Sequence, residues 1–261
     1  MTEFIDTIRF NELRKQYTDP GEIIVIDTET TGLEHFDELL SIAIMDANTK
    51  GELFSSYLWP HGKRFWKDAE RVNHITYDMV RDAPSIQQVR DEIQGIIDSA
   101  KILISYNGSF DTGFLERAGL NIDVQYQIDV MMEYAEYFGE WNDYWQSFTW
   151  QKLTTASFTC GIEHDAHDAM GDCKATIGVL EYMIDHPDYW TEHKKVYELK
   201  RSERNTARTI MQFIQKYGSI TYDGLLNHWY GCDVRSVLSM MMEEGAIIDE
   251  DGAYKFPEKQ T

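Results

Sequence analysis

Several familiar sequence signals are missing from this chain of 261 residues. Its three cysteines are odd in number and lack CxxC spacing, so we interpret them as reduced thiols of a cytoplasmic protein. No basic segment followed by an apolar run opens the chain, which argues against a secretory signal. No run approaches the roughly 18 apolar residues of a membrane helix, so no membrane partner is expected.

Basic residues are also scarce, because 24 Lys and Arg oppose 45 Asp and Glu for a net charge of −21. Residues 1–186 hold 33 acidic and 14 basic residues, whereas residues 187–261 hold 12 and 10. Such a surface repels polyanions and argues against tight duplex binding through a basic face. It does not exclude an enzyme that acts on nucleic acid, because divalent cations in a carboxylate-rich site reverse the local charge.

What the chain does contain is an ordered series of strand and helix patterns. Four β-formers, Ile23 to Ile26, predict a buried central strand, and residues 39–47 and 52–59 predict two antiparallel strands beside it. The later patterns are a helix opened by Pro84, a strand at 101–107, a helix at 110–119 that ends at Gly119, a strand at 126–131, and a helix with an apolar stripe of Cys173, Ile177, Leu180 and Ile184. This order predicts an α/β fold with a mixed β-sheet flanked by helices.

The composition of the sequence changes near residue 187. A charged stretch leads into patterns for three short helices, and a strand pair is predicted around Asp251-Gly252. We therefore predict one domain over residues 1–186, and a linker plus a small helical module over 187–261. The module resembles a winged helix, and a helical appendage that stabilises the main domain is the alternative.

Carboxylates follow the strand patterns at three places. Asp27 and Glu29 end the first central strand, where residues two apart share a face and can approach one cation together. Asp111 lies at a strand-to-helix junction, where a helix N-cap is the commonest role for an acid. Asp172 enters a late helix five residues after His167, so these two lie on different faces if both are helical.

Three motifs in this order resemble the DEDDh group of 3′–5′ exonucleases, which have a ribonuclease H-like fold. They are IDTETTGL (26–33), NGSFDTGFL (107–115) and HDAMGDC (167–173). The resemblance is to bacterial proofreading exonucleases like the epsilon subunit of DNA polymerase III, and it covers roughly residues 22–185. One departure is Asn73-His74-Ile75-Thr76, where the family often has His-Gly-Ile-Thr.

The resemblance implies a set of site residues. Asp27, Glu29, Asp111 and Asp172 would bind two Mg²⁺ or Mn²⁺ ions, and His167 would be the general base. The register of the motif selects His167, leaving His164 as a loop or capping residue whose replacement is expected to keep turnover near wild type. The matching substrate-binding residues are Thr30, Thr31, Leu33 and Asn107.

The function implied is hydrolysis of phosphodiester bonds from the 3′ end of DNA, at single-stranded or frayed ends, with release of nucleoside 5′-monophosphates. Trimming of RNA 3′ ends is the alternative with the same chemistry, and a catalytically silent nucleic-acid-binding or scaffold protein is a second. A polymerase or another replication protein is the expected partner of the C-terminal module. A metal-free hydrolase is disfavoured, because no Gly-x-Ser-x-Gly motif is present.

Overall fold

The computed structural model describes residues 2–142, 144–145, 147–164, 166, 168–186, 201–226, 234–243 and 245–257. Two compact units are present, one formed by Met1–Tyr134 with Trp150–Asp185 and the other by Ala135–Thr149 with His186–Thr261. The predicted boundary after residue 186 adjoins residues 187–200, which lie outside the described residues. The division into a domain at 1–186 and a module at 187–261 therefore stays a prediction.

The first unit contains a six-stranded mixed sheet in the order β1-β6-β5-β2-β3-β4. Its strands are β1 (Glu3–Phe4), β2 (Ile23–Thr30), β3 (Leu39–Asp46), β4 (Glu52–Tyr57), β5 (Ile102–Ser105) and β6 (Tyr126–Asp129). Strands β2, β3 and β4 pair antiparallel, whereas β2, β5, β6 and β1 pair parallel. The mixed sheet is thus confirmed; the two-residue β1 was too short to predict.

Helices connect and cover these strands. They are α1 (Thr7–Leu13), α2 (Lys67–Asn73), α3 (Tyr77–Val80), α4 (Ile86–Ser99), α5 (Gly108–Arg117), α6 (Val130–Phe138), α7 (Leu153–Thr159) and α8 (Ala169–Asp185). Helix α4 begins after a capping box in which Ser85 and Gln88 satisfy each other's backbone N–H groups. Helix α5 ends near Gly119, which adopts a left-handed φ of 90° as the sequence predicted.

The two faces of the sheet bury different residues of β2. Ile24 and Ile26 pack in one apolar cluster with Ile93 and Ile97 of α4 and Phe114 of α5. The alternate residues of β2 belong to the other face, where the Cys173 thiol of α8 donates to the Val25 carbonyl over 3.7 Å. Because side chains alternate along a strand, Asp27 and Glu29 continue the face that α8 covers.

The second unit includes the short strands β7 (Trp141–Asn142) and β8 (Ser147–Phe148), which pair antiparallel. Its C-terminal elements are α9 (Arg201–Tyr217), β9 (Ile220–Thr221), α10 (Tyr222–Leu226), α11 (Val234–Glu243), β10 (Ile248–Glu250) and β11 (Ala253–Lys255). The last three strands form an antiparallel sheet in the order β10-β11-β9.

The predicted three helices and terminal hairpin of this module are confirmed. Asp251 and Gly252 both have positive φ, 55° and 84°, as a tight hairpin turn requires. Met241 is fully buried in the module's own core beside Leu238. Together with β9, the element order is that of a winged helix. None of the helices among the described residues is long and apolar enough to cross a membrane.

Candidate active site

Three acidic side chains converge at the end of β2. One carboxylate oxygen each from Asp27, Glu29 and Asp172 lies within 4.8 Å of the other two. Asp27 and Glu29 are half-buried, whereas Asp172, in the first turn of α8, is buried. The pairing of β2 with β3 shifts register between Glu29 and Thr30, a bulge-like irregularity that re-aims side chains at strand ends. The fold thus joins two sequence motifs that are about 145 residues apart.

Asp111 reaches the same strand end from α5. Its Oδ1 accepts hydrogen bonds from the Thr28 backbone N–H at 2.9 Å and from the Thr28 hydroxyl at 2.7 Å. Its side chain therefore does not cap α5; it lies in the first turn and is 2% exposed. Asp111 is outside the trio within 4.8 Å but is held beside it, because Thr28 stands between Asp27 and Glu29.

Three carboxyls at this strand end, those of Asp27, Glu29 and Asp111, have strongly raised pKa values. Burial raises the pKa of Asp27 well above its ordinary value, and the charges of Asp111 and then Asp172 raise it further. Burial, followed by the charge of Asp172, raises the pKa of Glu29 to about 8. Burial raises the pKa of Asp111 to about 7 even though both hydrogen bonds from Thr28 act to lower it. The site concentrates negative charge that protons or a cation must offset.

This donor set fits a hard divalent cation. All the candidate ligand atoms are carboxylate oxygens, which Mg²⁺ and Mn²⁺ prefer. Their ligand atoms already converge in the fold, so binding a cation requires mainly the loss of protons. The raised pKa values have the same origin as the expected affinity, which is several acids held together in a partly dehydrated site.

Asn73 braces Glu29 and was not recognised as a site residue from the sequence. It is 5% exposed at the end of α2 and donates its amide N–H to the Thr30 carbonyl over 3.1 Å. A side-chain hydrogen bond from Asn73 also lowers the pKa of Glu29, opposing the effect of burial. The signal was present in the sequence, since Asn73 is the position at which this chain departs from the family's His-Gly-Ile-Thr.

Asp129 organises the junction that presents Asp111. Its two carboxylate oxygens accept the backbone N–H groups of Asn107 at 3.1 Å and Gly108 at 3.0 Å. Asn107 has a left-handed φ of 66°, so the chain turns sharply from β5 into α5. Asn107 therefore lies at the base of α5, and its predicted contact with substrate stays a prediction. Asp129 is the last residue of β6, just as Asp27 follows the apolar residues of β2. This shared position at a strand end is a sequence signal that would have identified Asp129 as a site residue.

The histidine-containing segment has a contact that the sequence did not predict. The His164 side chain is 6% exposed, and its Nε2 contacts the Asp172 carboxylate. Its Nδ1 lies 3.0 Å from the hydroxyl of Ser157, itself 1% exposed. His164 therefore lies in the loop before α8, as predicted, but its buried side chain is a partner of Asp172 and not a free loop residue. His167 lies outside the described residues, and its role as general base stays a prediction.

The loop after Glu29 separates the proposed substrate residues into two kinds. The hydroxyl of Thr30 donates to the Gly32 carbonyl at 2.7 Å, and that of Thr31 donates to Asp37 at 2.8 Å. Both threonines are buried, so these hydroxyls hold the loop together. Leu33 is 82% exposed at the loop surface, where an apolar side chain is available to a ligand.

Comparison with known proteins places the chain in a family. A sequence profile of the Exonuclease (RNase_T) family matches residues 24–180, a span that contains every candidate site residue. The chain belongs to this exonuclease family. The exonuclease is 30% identical over 170 residues to an uncharacterized exonuclease, CP81, of Escherichia phage 186, a match that covers 60% of the chain and 86% of the phage protein.

Two further relatives show how much of each chain the similarity covers. A PolC-type DNA polymerase III of Staphylococcus saprophyticus is 27% identical over 207 residues, which is 72% of the exonuclease but 14% of the polymerase. The zinc-bound complex of E. coli ExoI with single-stranded DNA aligns with a TM-score of 0.53 at 19% identity, over 67% of the exonuclease and 44% of ExoI. This likeness confirms the predicted ribonuclease H-like α/β fold.

Proposed function

We propose that this exonuclease removes nucleotides one at a time from the 3′ end of single-stranded or frayed DNA, with a divalent cation as cofactor. The observation that carries the proposal is the convergence of Asp27, Glu29 and Asp172 at the end of β2, with Asp111 held beside them. The relatives support it, because one is named an exonuclease and another a DNA polymerase III.

In this proposal the four carboxylates hold two Mg²⁺ or Mn²⁺ ions. When bound, such ions supply Lewis-acid chemistry that offsets the negative charge developing on a phosphodiester. Asp27, Glu29, Asp111 and Asp172 set the position of that charge compensation, because their strand and helix positions are fixed by the fold. Asn73 and Thr28 keep Glu29 and Asp111 in place.

The remaining steps fall to residues around the carboxylates. We assign His167 as the general base that takes the proton from the attacking water, because histidine titrates near neutral pH. Leu33 packs against the terminal base, while Thr30, Thr31 and Asn107 shape the backbone that faces the terminal phosphate and sugar. The product is a nucleoside 5′-monophosphate.

The C-terminal module is assigned a protein partner in this proposal. Arg235, the one basic residue of α11, lies over the Tyr222 ring of α10 at 5.1 Å. Residues 187–261 also carry 12 acidic residues against 10 basic ones, a poor balance for reading a duplex. A polymerase or another replication protein fits such a surface better than DNA does.

The direction and substrate of hydrolysis are tested with end-labelled strands. We would incubate 5′-labelled single-stranded DNA, duplex DNA and RNA of one sequence with Mg²⁺, Mn²⁺ or EDTA. A ladder that shortens from the 3′ end of DNA, and that EDTA abolishes, is expected. A faster ladder on RNA would assign the chain to RNA trimming, and no hydrolysis of any strand would favour a silent binding protein.

A further inference from the structure

A groove next to α2 lies outside the carboxylate site. Its volume is about 310 Å³, at the lower end of the roughly 300–1,000 Å³ typical of ligand sites. We call it the α2 groove, and it is lined by Arg64, Phe65, Trp66, Lys67, Glu70 and Tyr77. A space of this size suits one or two nucleotides, and is too small for a folded partner.

The α2 groove is attached to the loop that follows the catalytic acids. The Glu38 carboxylate accepts backbone N–H groups of His61, Gly62 and Lys63 at 2.8–2.9 Å. The Lys63 ammonium group donates to the Thr31 carbonyl over 3.2 Å. The segment that leads into the groove is therefore fixed to the loop beginning two residues after Glu29, and a ligand would not have to order it.

The chemistry of the groove is unusual for this acidic chain. Residues 61–67 contain three cations and no acid, within a region that carries most of the −21 net charge. Arg64 and Lys67 have no ion-pair partner among the described residues. Lys67 is the first residue of α2, where a cation opposes the helix dipole, so helix stability does not account for it. Glu70 also lines the groove, so the formal net charge of the lining is +1.

Aromatic rings supply the other half of the groove. Phe65 is 81% exposed and Tyr77 is 41% exposed, although both are large apolar residues. Tyr77 packs edge-on against Trp59 with ring centroids 5.4 Å apart, which fixes its orientation. Trp66 is buried and anchors the segment, because its indole N–H donates to the Ile75 carbonyl at 2.7 Å. Exposed aromatic rings and nearby cations are the two elements of a single-strand site.

We propose that the α2 groove binds the unpaired strand that leads to the 3′ terminus, with bases on Phe65 and Tyr77 and phosphates at Arg64 and Lys67. This inference rests on the proposed function and extends it, because it predicts how substrate length is sensed. Stacking on a ring tolerates any base, and two cations serve a single strand better than a duplex. DNA and RNA strands share this chemistry.

The test compares a long and a minimal substrate. Steady-state kinetics of the full chain would be measured on dT15, rU15 and the p-nitrophenyl ester of thymidine 5′-monophosphate, which has no upstream strand. For Phe65→Ala we expect KM for dT15 to rise roughly tenfold. We expect kcat for dT15 and both constants for the ester to stay within twofold. The matched control is Phe4→Ala, an exposed phenylalanine of β1.

Charge is tested separately with Lys67→Glu, and with Lys15→Glu as a control of equal net charge. Lys67→Glu should reduce the slope of log affinity against log salt for dT15 by about 0.7 or more, whereas the control should leave it unchanged. Equal KM values for wild type and both groove variants on dT15 and rU15 would overturn the groove assignment. Wild-type protein that hydrolyses neither strand nor ester would instead contradict the proposed function. The rU15 arm shows whether the groove discriminates RNA from DNA.

Discussion

At the scale of single residues, the site depends on acids that are costly to keep together. Burial is the largest cause that raises the pKa values of Asp27 and Glu29, and repulsion from the neighbouring carboxylates raises them further. Such a cluster is a poor way to stabilise a fold, because an unpaired buried charge is unfavourable. A ligand that compensates the charge would explain why these acids lie together at the end of a central strand.

The raised pKa of Glu29 predicts how the metal-free protein responds to pH. In the folded protein the Glu29 carboxyl keeps its proton up to about pH 8. In the unfolded chain it loses the proton near its ordinary pKa of 4.5. Between these values the folded state binds more protons, so this residue lowers stability as pH rises. We would therefore measure urea unfolding of wild type and Glu29→Gln in EDTA. From pH 5 to pH 8, the free energy of unfolding of wild type should fall relative to that of Glu29→Gln. A difference independent of pH would contradict the assignment.

Replacing each of the two neighbouring histidines, His164 and His167, is predicted to affect a different kinetic property. His167→Ala should reduce kcat by roughly a hundredfold or more, because a general base contributes about that much. His164→Ala should weaken apparent metal affinity about tenfold, because His164 supports Asp172 as an outer partner. Turnover would be measured across a range of Mg²⁺ concentrations. Rescue of His167→Ala by excess Mg²⁺, and no rescue of His164→Ala, would reverse the two assignments.

At the scale of elements, β2 and α5 determine where the acids meet. Strand β2 supplies two of them, and Asp129 at the end of β6 fixes the start of α5, which carries Asp111. The Asp129 Oδ1 also accepts the Met131 backbone N–H at 3.0 Å. With the Met132 backbone N–H at 3.4 Å, this one side chain accepts from four backbone donors at the end of β6, which links local stability to site geometry.

Removing this acceptor should weaken both the fold and the site. Asp129→Ala leaves several backbone N–H groups without a partner, and we expect a loss of about 2 kcal/mol in the free energy of unfolding. Asp129→Asn retains one acceptor oxygen and should lose about half as much. Urea unfolding and the hydrolysis rate would be measured for both variants. Wild-type stability in Asp129→Ala would show that water replaces the carboxylate without cost.

Much of the element layout could be predicted from the sequence. The apolar run of β2, the stop at Gly119 and the turn at Asp251-Gly252 are local signals, and the structure confirms each. The contact of His164 with Asp172 could not be predicted, because it depends on how the loop before α8 folds back onto Ser157. The bracing of Glu29 by Asn73 likewise requires tertiary contact between α2 and β2, which periodicity does not encode.

At the scale of the whole molecule, residues 1–186 and 187–261 differ in net charge and in secondary-structure content. The acidic region 1–186 contains the candidate site, and the nearly balanced region 187–261 contains the arrangement of α9, α10 and α11 with the sheet β10-β11-β9. The family match ends at residue 180, so it does not reach that arrangement. The family match therefore supports chemistry in the first region, whereas a partner-binding role of the second stays a proposal.

This division predicts the behaviour of a shortened chain that ends at residue 186. Because α11 carries a single basic residue, loss of the C-terminal region should leave duplex binding and processivity within about twofold of the full chain. Gel-shift titration and single-turnover ladders would measure both. A tenfold loss of duplex affinity would instead assign a nucleic-acid role to this region.

We propose that the carboxylate cluster at the end of β2 drives hydrolysis from the 3′ end. It is tested most directly by the initial rate of Asp27→Asn on 5′-labelled single-stranded DNA in saturating Mg²⁺, with Asp123→Asn as an exposed control of equal charge change. We expect a loss of at least about a thousandfold for Asp27→Asn, because the substitution removes the negative charge of a predicted metal ligand, and no change for the control. A wild-type rate in Asp27→Asn would contradict it.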